Sequence, residues 1–104
     1  AGIAVSLLDG AAEPSPVSPS EGPAWETLRR ALAAIEPSAV QAPGLVVGAT
    51  DARHYSGLSE NIYRFVPMRL APEDLPRIHG VNERVRVENL GELVRFYLEL
   101  ILSA

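Results

Sequence analysis

At 104 residues, with 47% apolar and 21% charged residues, the chain fits one small soluble globular domain. A domain of that size buries about 65% of its unfolded surface. A formal net charge of −4 excludes a general nucleic-acid binder, because phosphate neutralisation needs a basic face. Cysteine is absent, which excludes disulfides and thiolate–zinc sites and leaves the redox compartment unread. No apolar run is long enough to span a bilayer, no block of like charge marks a membrane patch, and no basic leader opens the chain. The reading is a soluble protein with neither nucleic acid nor membrane as partner, the cytoplasm slightly favoured.

Residues 2–8 (Gly-Ile-Ala-Val-Ser-Leu-Leu) form a short β-type run with a turn signal at Asp9-Gly10. The chain thus opens inside a predicted strand, and truncation or processing is expected. Next comes Glu13-Pro14-Ser15-Pro16-Val17-Ser18-Pro19, whose alternating prolines hold extended or polyproline geometry and cannot enter a central sheet. This stretch reads as a connector. Gly22-Pro23 opens a helix with proline in its first turn, where a missing N–H costs nothing. Trp25, Leu28, Leu32 and Ile35 share one face at helical spacing, with Glu26, Arg29 and Arg30 off it, and the helix stops before Pro37.

Leu45-Val46-Val47, after Pro43-Gly44, is too short for a helix and predicts a buried strand. It ends at Gly48-Ala49, where Thr50-Asp51-Ala52-Arg53-His54-Tyr55 begins a loop or short helical turn. Asn61-Ile62-Tyr63-Arg64-Phe65-Val66 predicts a second strand, closed by Pro67. Residues 71–80, with two prolines and two acids, read as an irregular surface loop. A last helix is predicted over roughly 90–102, with an apolar stripe of Leu90, Leu93, Val94, Tyr97, Leu100 and Ile101. Asn89 is its expected N-cap, and Glu92 could complete a capping-box exchange. Helices between strands imply an α/β layer with partly parallel strands.

Two short stretches carry the chemistry. His79 lies in the loop Arg77-Ile78-His79-Gly80-Val81-Asn82-Glu83, just before the last helix. A neutral loop imidazole is a common zinc donor, and Glu83 could fix its tautomer. The residues alone leave open a histidine bonded to backbone and a solvated Glu83. Arg53 could hold a substrate carboxylate bidentately, while an ion pair with Asp51 or a neighbouring acid is the plainer reading of a lone arginine. His54 reads as a surface residue, and Trp25 and Tyr97 as core. The chain has no His-Glu-x-x-His, no nucleophile elbow and no phosphate-cradling glycine loop. One histidine cannot hold a catalytic zinc, which takes about three protein ligands.

The segments 48–55, 62–67 and 78–83, in that order and followed by an amphipathic helix, resemble the C-terminal part of the dinuclear zinc peptidase family. That family includes aminoacylases, carnosinases, acetylornithine deacetylase and carboxypeptidase S. The nearest flavour is the carboxypeptidase S and N-fatty-acyl-amino-acid hydrolase branch. The resemblance covers most of the chain. It implies an α/β fold: a partial layer of the catalytic domain over 23–104, a connector over 14–22 crossing from the lid domain, and a terminal lid strand over 1–13.

By the same resemblance, His79 matches the last metal ligand, and Arg53 matches the arginine of a Thr-Asp-Ser-Arg motif that binds a substrate carboxylate. Ala52 replaces that serine, so any hydrogen bond the serine supplies is absent. Asp51 would orient Arg53, and Asn82 and Glu83 would support His79. The whole enzyme would carry two zinc ions and hydrolyse the amide of an N-acyl amino acid or small peptide. The His-x-Asp motif, the Glu-Glu pair with the general base and a further acidic ligand have no counterpart in this sequence. The expectation is therefore a fragment inactive alone, partnered by the remainder of the parent enzyme or a second copy of the chain. The alternatives are half of a split enzyme and a non-catalytic interaction module.

Overall fold

The computed structural model describes residues 2–9 and 13–104. Helix α1 spans Pro23–Ile35 and helix α2 spans Val87–Leu102. Pro23 takes the first turn of α1, and the helix ends two residues before Pro37, as its sequence predicts. Short 3₁₀ turns form at Asp51–Tyr55 and Leu75–Arg77. Helix α2 starts a turn earlier than expected. Arg86 stands at its N-cap without a capping side-chain bond, so Asn89 is its third residue and not its cap.

No β-strand is present among the described residues, so the expected α/β layer is corrected to a helical fold with extended connections. The runs 2–8, 45–47 and 61–66 have strand-like composition, but no neighbour provides a ladder. Strand propensity is a preference for a pleated, half-covered surface, and another strand must supply that surface. Val5 and Val47 are 89% and 99% exposed, so the first two runs are largely uncovered, with Val46 half-covered. The turn expected at Asp9-Gly10 and parts of the lid strand expected over 1–13 fall on Ala1 and residues 10–12, outside the described residues.

The run 61–66 keeps the period of a strand without its pairing. Tyr63 meets Trp25 of α1 with ring centroids 5.6 Å apart, and Phe65 meets Phe96 of α2 edge-on at 5.6 Å. Arg64, between them, turns away and donates from Nε to Thr50 Oγ1 at 3.1 Å. Side chains replace a partner strand at both ends. The Ser18 hydroxyl donates to Ile62 C=O and accepts from Ile62 N–H, each at 2.9 Å. Asn89 Oδ1 accepts from Arg69 N–H at 2.9 Å, and its Nδ2 donates to Pro67 C=O at 3.0 Å and Glu92 Oε2 at 2.9 Å.

Helices α1 and α2 pack on each other around Ala31 and Phe96, the buried apolar residues of the described chain. Burial on α2 centres on Asn89 and Phe96, with Leu93 and Leu100 half-buried beside them. The predicted stripe therefore splits. Leu90, Val94, Tyr97 and Ile101 lie about 100° further round the helix and remain exposed. Helix α2 is apolar over more than one face, and α1 covers only one of them. Together with the exposed extended runs, this leaves a total surface of 8677 Å², against roughly 5,700 Å² for a compact monomer of this mass.

Arg69 joins the helices electrostatically. Its Nε reaches Glu92 Oε2 at 2.8 Å, and its Nη2 reaches Glu36 Oε2 at 2.5 Å at the end of α1. The Ser38 hydroxyl and then Arg69 hold the Glu36 carboxyl down at about 2, from an ordinary 4.5. Arg69 and then the Asn89 amide lower Glu92 as well. These bonds are partly solvated, so salt screens them.

Two outcomes are expected. Asn89→Ala removes the partner of the half-buried Pro67 C=O and of the Arg69 N–H and should lower the unfolding free energy in urea by about 1–3 kcal/mol. Both carboxyls bind protons more weakly folded than unfolded, so the unfolded chain takes up more protons in acid. Their contribution is complete above the ordinary value of 4.5 and is lost as pH falls, towards about 2 for Glu36. Urea midpoints measured across this range should fall, and Glu36→Gln should flatten the dependence.

Candidate functional site

The loop that carries Arg53 is organised by Thr50. Its hydroxyl caps the 3₁₀ turn by accepting from Ala52 N–H at 3.3 Å, and its carbonyl accepts from Arg53 N–H at 3.2 Å. The same hydroxyl receives Arg64, which ties the turn to the run 61–66. Asp51 and Arg53 are both exposed and form no ion pair with each other among the described residues. Arg53 instead donates from Nε to His54 Nε2 at 3.3 Å, which leaves its terminal nitrogens facing solvent without a carboxylate among the described residues. The plainer reading of Arg53, a structural ion pair, is thus not what forms.

His79 is presented by a tight turn. Ile78 has φ −61° and ψ 120°, His79 has φ 58°, and Gly80 N–H donates to Arg77 C=O at 2.8 Å. Residues 77–80 therefore form a type II β-turn, with histidine at the third position, where φ must be positive. Gly80 is needed for space: a Cβ there would lie 2.9 Å from Pro76 C=O. Asn82, three residues past His79, also has a left-handed backbone at φ 61°. The two non-glycine residues with positive φ among those described are thus both members of the predicted site. Such conformations cost free energy and are common where a side chain must be aimed.

His79, Asn82 and Glu83 are all exposed, and no hydrogen bond joins them to one another among the described residues. Glu83 lines a cleft of about 270 Å³ with Met68, Leu70, Ile78 and Val85. No group of three or more His, Cys, Asp or Glu that could hold a metal occurs among the described residues. An outward imidazole on a fixed turn suits one ligand position of a zinc centre, and the remaining positions are not filled here.

Sequence reasoning overlooked Thr50 and Arg64, which fix the arginine loop, and the pair Asp74–Arg77, at 2.7 Å, in the loop before His79. The last had a readable signal: opposite charges three residues apart, on either side of Pro76.

The model of peptidase family M20/M25/M40 matches residues 4–103. The chain belongs to this family. It is 39% identical over 99 residues to probable carboxypeptidase S-like 2 of Dictyostelium discoideum, covering 95% of this chain and 19% of that protein. It is 43% identical over 93 residues to the N-fatty-acyl-amino acid synthase/hydrolase PM20D1 of Xenopus tropicalis, covering 88% and 18%. With carboxypeptidase S of Saccharomyces cerevisiae it shares 35% over 99 residues, covering 88% and 17%. The chain thus spans about a fifth of the length of these curated relatives. No solved structure gives a significant match. No described helix is long and apolar enough to cross a membrane.

The strain at His79 is open to measurement. His79→Gly relaxes the left-handed residue, whereas His79→Ala keeps the clash of Cβ with the backbone. In urea unfolding the glycine variant should exceed the alanine variant by about 1 kcal/mol. Equal stability would mean the turn imposes no conformation on residue 79.

Proposed function

We propose that this chain is the C-terminal part of a zinc-dependent amidohydrolase acting on N-acyl amino acids or small peptides with a free carboxylate. Membership of a peptidase family across residues 4–103 carries the reading. The local geometry supports it. His79, aimed outward from a strained turn, supplies one imidazole to a metal centre whose other ligands and general base lie elsewhere in the enzyme. Arg53, braced by its capped 3₁₀ turn, binds the substrate carboxylate through its free terminal nitrogens. Asp51 contributes charge to that loop, and Asn82 and Glu83 border the His79 turn. The chain divides into a lid-domain segment at 1–13, a crossover at 14–22 and a catalytic part at 23–104. By itself it is inactive.

The partner is the remainder of the enzyme. The uncovered stripe Leu90, Val94, Tyr97 and Ile101 and the exposed Val5, Leu7 and Val47 are the surface it would cover. A second copy of the chain is the competing occupant.

A chimera tests both parts. Residues 4–103 replace the matching segment of the Xenopus relative, and zinc content and hydrolysis of an N-fatty-acyl amino acid are measured. The chimera should be active. His79→Ala should lose zinc and activity together, and Arg53→Ala should raise KM about 10- to 100-fold. Full activity in both variants would refute the assignment. Expressed separately, the chain should co-sediment with the rest of the Xenopus protein, and self-association without it would favour the second copy.

A further inference from the structure

We propose that Asp74 and Arg77 are positioning residues that hold the His79 turn in its left-handed form, which deepens the reading of His79 given above. The Asp74 carboxylate spans the loop. Its Oδ1 accepts from Arg77 Nη1 at 2.7 Å and its Oδ2 from Ala71 N–H at 3.2 Å. The main chain follows the same path, with Asp74 N–H donating to Ala71 C=O at 2.8 Å and Arg77 N–H to Asp74 C=O at 3.0 Å. Arg77 is therefore fixed through both its side chain and its backbone N–H, and its own carbonyl is the acceptor that closes the turn on Gly80.

The pair is better shielded than the other ion pairs of the chain, at 30% and 18% side-chain exposure. A charge-assisted bond at that depth is less screened by solvent than one at the open surface. Its placement matters more than its strength. It anchors the first residue of a turn whose third residue sits in an unfavourable conformation, and nothing after Gly80 is bonded back to hold it from the other side among the described residues. Without the anchor, the turn's first peptide is held by the Ile78 N–H bond to Leu75 C=O at 3.3 Å, and the cost of positive φ at His79 favours rotation of the peptide between Ile78 and His79. The competing explanation is a turn held by Pro76 and Gly80 alone.

The test uses the isotopically labelled 104-residue chain without metal, reading His79 φ from its backbone coupling constant and the exchange rate of the Gly80 amide. In Asp74→Ala, Gly80 should exchange at least about tenfold faster, and the His79 coupling should move to an averaged value. The amides in the middle of α1 and α2 should keep their rates. Unchanged values at both positions would overturn the proposal, and so would an equal acceleration in the helices, which would mean general loosening. If Asp74→Ala does not fold, Arg77→Lys decides by the same criteria, because it keeps the charge and loses the planar fork. No metal enters this experiment. Failure of His79 as a ligand is read from the chimera's zinc content and leaves this outcome intact.

Discussion

One buried amide holds the described chain together. Asn89 is a polar residue in the small core, and every hydrogen-bonding position of its amide nitrogen is used. It takes the place of a neighbouring strand for residues 67–69, and through Glu92 it orients the carboxylate that receives Arg69. Arg69 then reaches Glu36 at the end of α1. The helices, the extended run between them and the approach to the His79 loop all converge on this point. A fold with so few buried apolar side chains depends on polar contacts to fix its geometry more than a fully packed domain does.

The helices were legible because a helix satisfies its backbone within itself. Pro23, Pro37 and the spacing of Trp25, Leu28 and Leu32 set α1 without reference to anything distant. Strands carry no such guarantee. Leu45-Val46-Val47 has the composition of a buried strand, yet Val47 is almost fully exposed, because composition cannot supply the chain that would pair with it. The stripe on α2 was legible as apolar but not as two faces, since periodicity counts hydrophobic residues without saying which neighbour takes which. Phe96, the most buried side chain, was passed over because it falls between the predicted positions.

The site was legible in a different way. Loop residues 79 and 82 show no periodicity; His79 stood out as a loop imidazole, and family resemblance matched it to a ligand and added Asn82. The structure adds an independent physical mark, a left-handed backbone at both. Histidine in a position that favours glycine is a local conflict between sequence and conformation, and such conflicts concentrate where chemistry sets the residue. The Arg53 loop shows the complementary case: Thr50 and Arg64 fix its backbone by ordinary capping and side-chain bonding, with no strain at all.

The run 61–66 has a wider bearing. Its aromatic side chains are seated on the two helices, yet the main-chain groups of Tyr63, Arg64 and Phe65 find no partner among the described residues. A short, flat, aromatic stretch of open N–H and C=O groups is a template for any extended peptide that meets it. Two features restrain it: the charge of Arg64 midway along and Pro67 at its end, both of which interrupt stacking of like chains. At this stretch, resistance to self-association therefore rests on one pyrrolidine ring and on one guanidinium that also braces the Arg53 loop through Thr50.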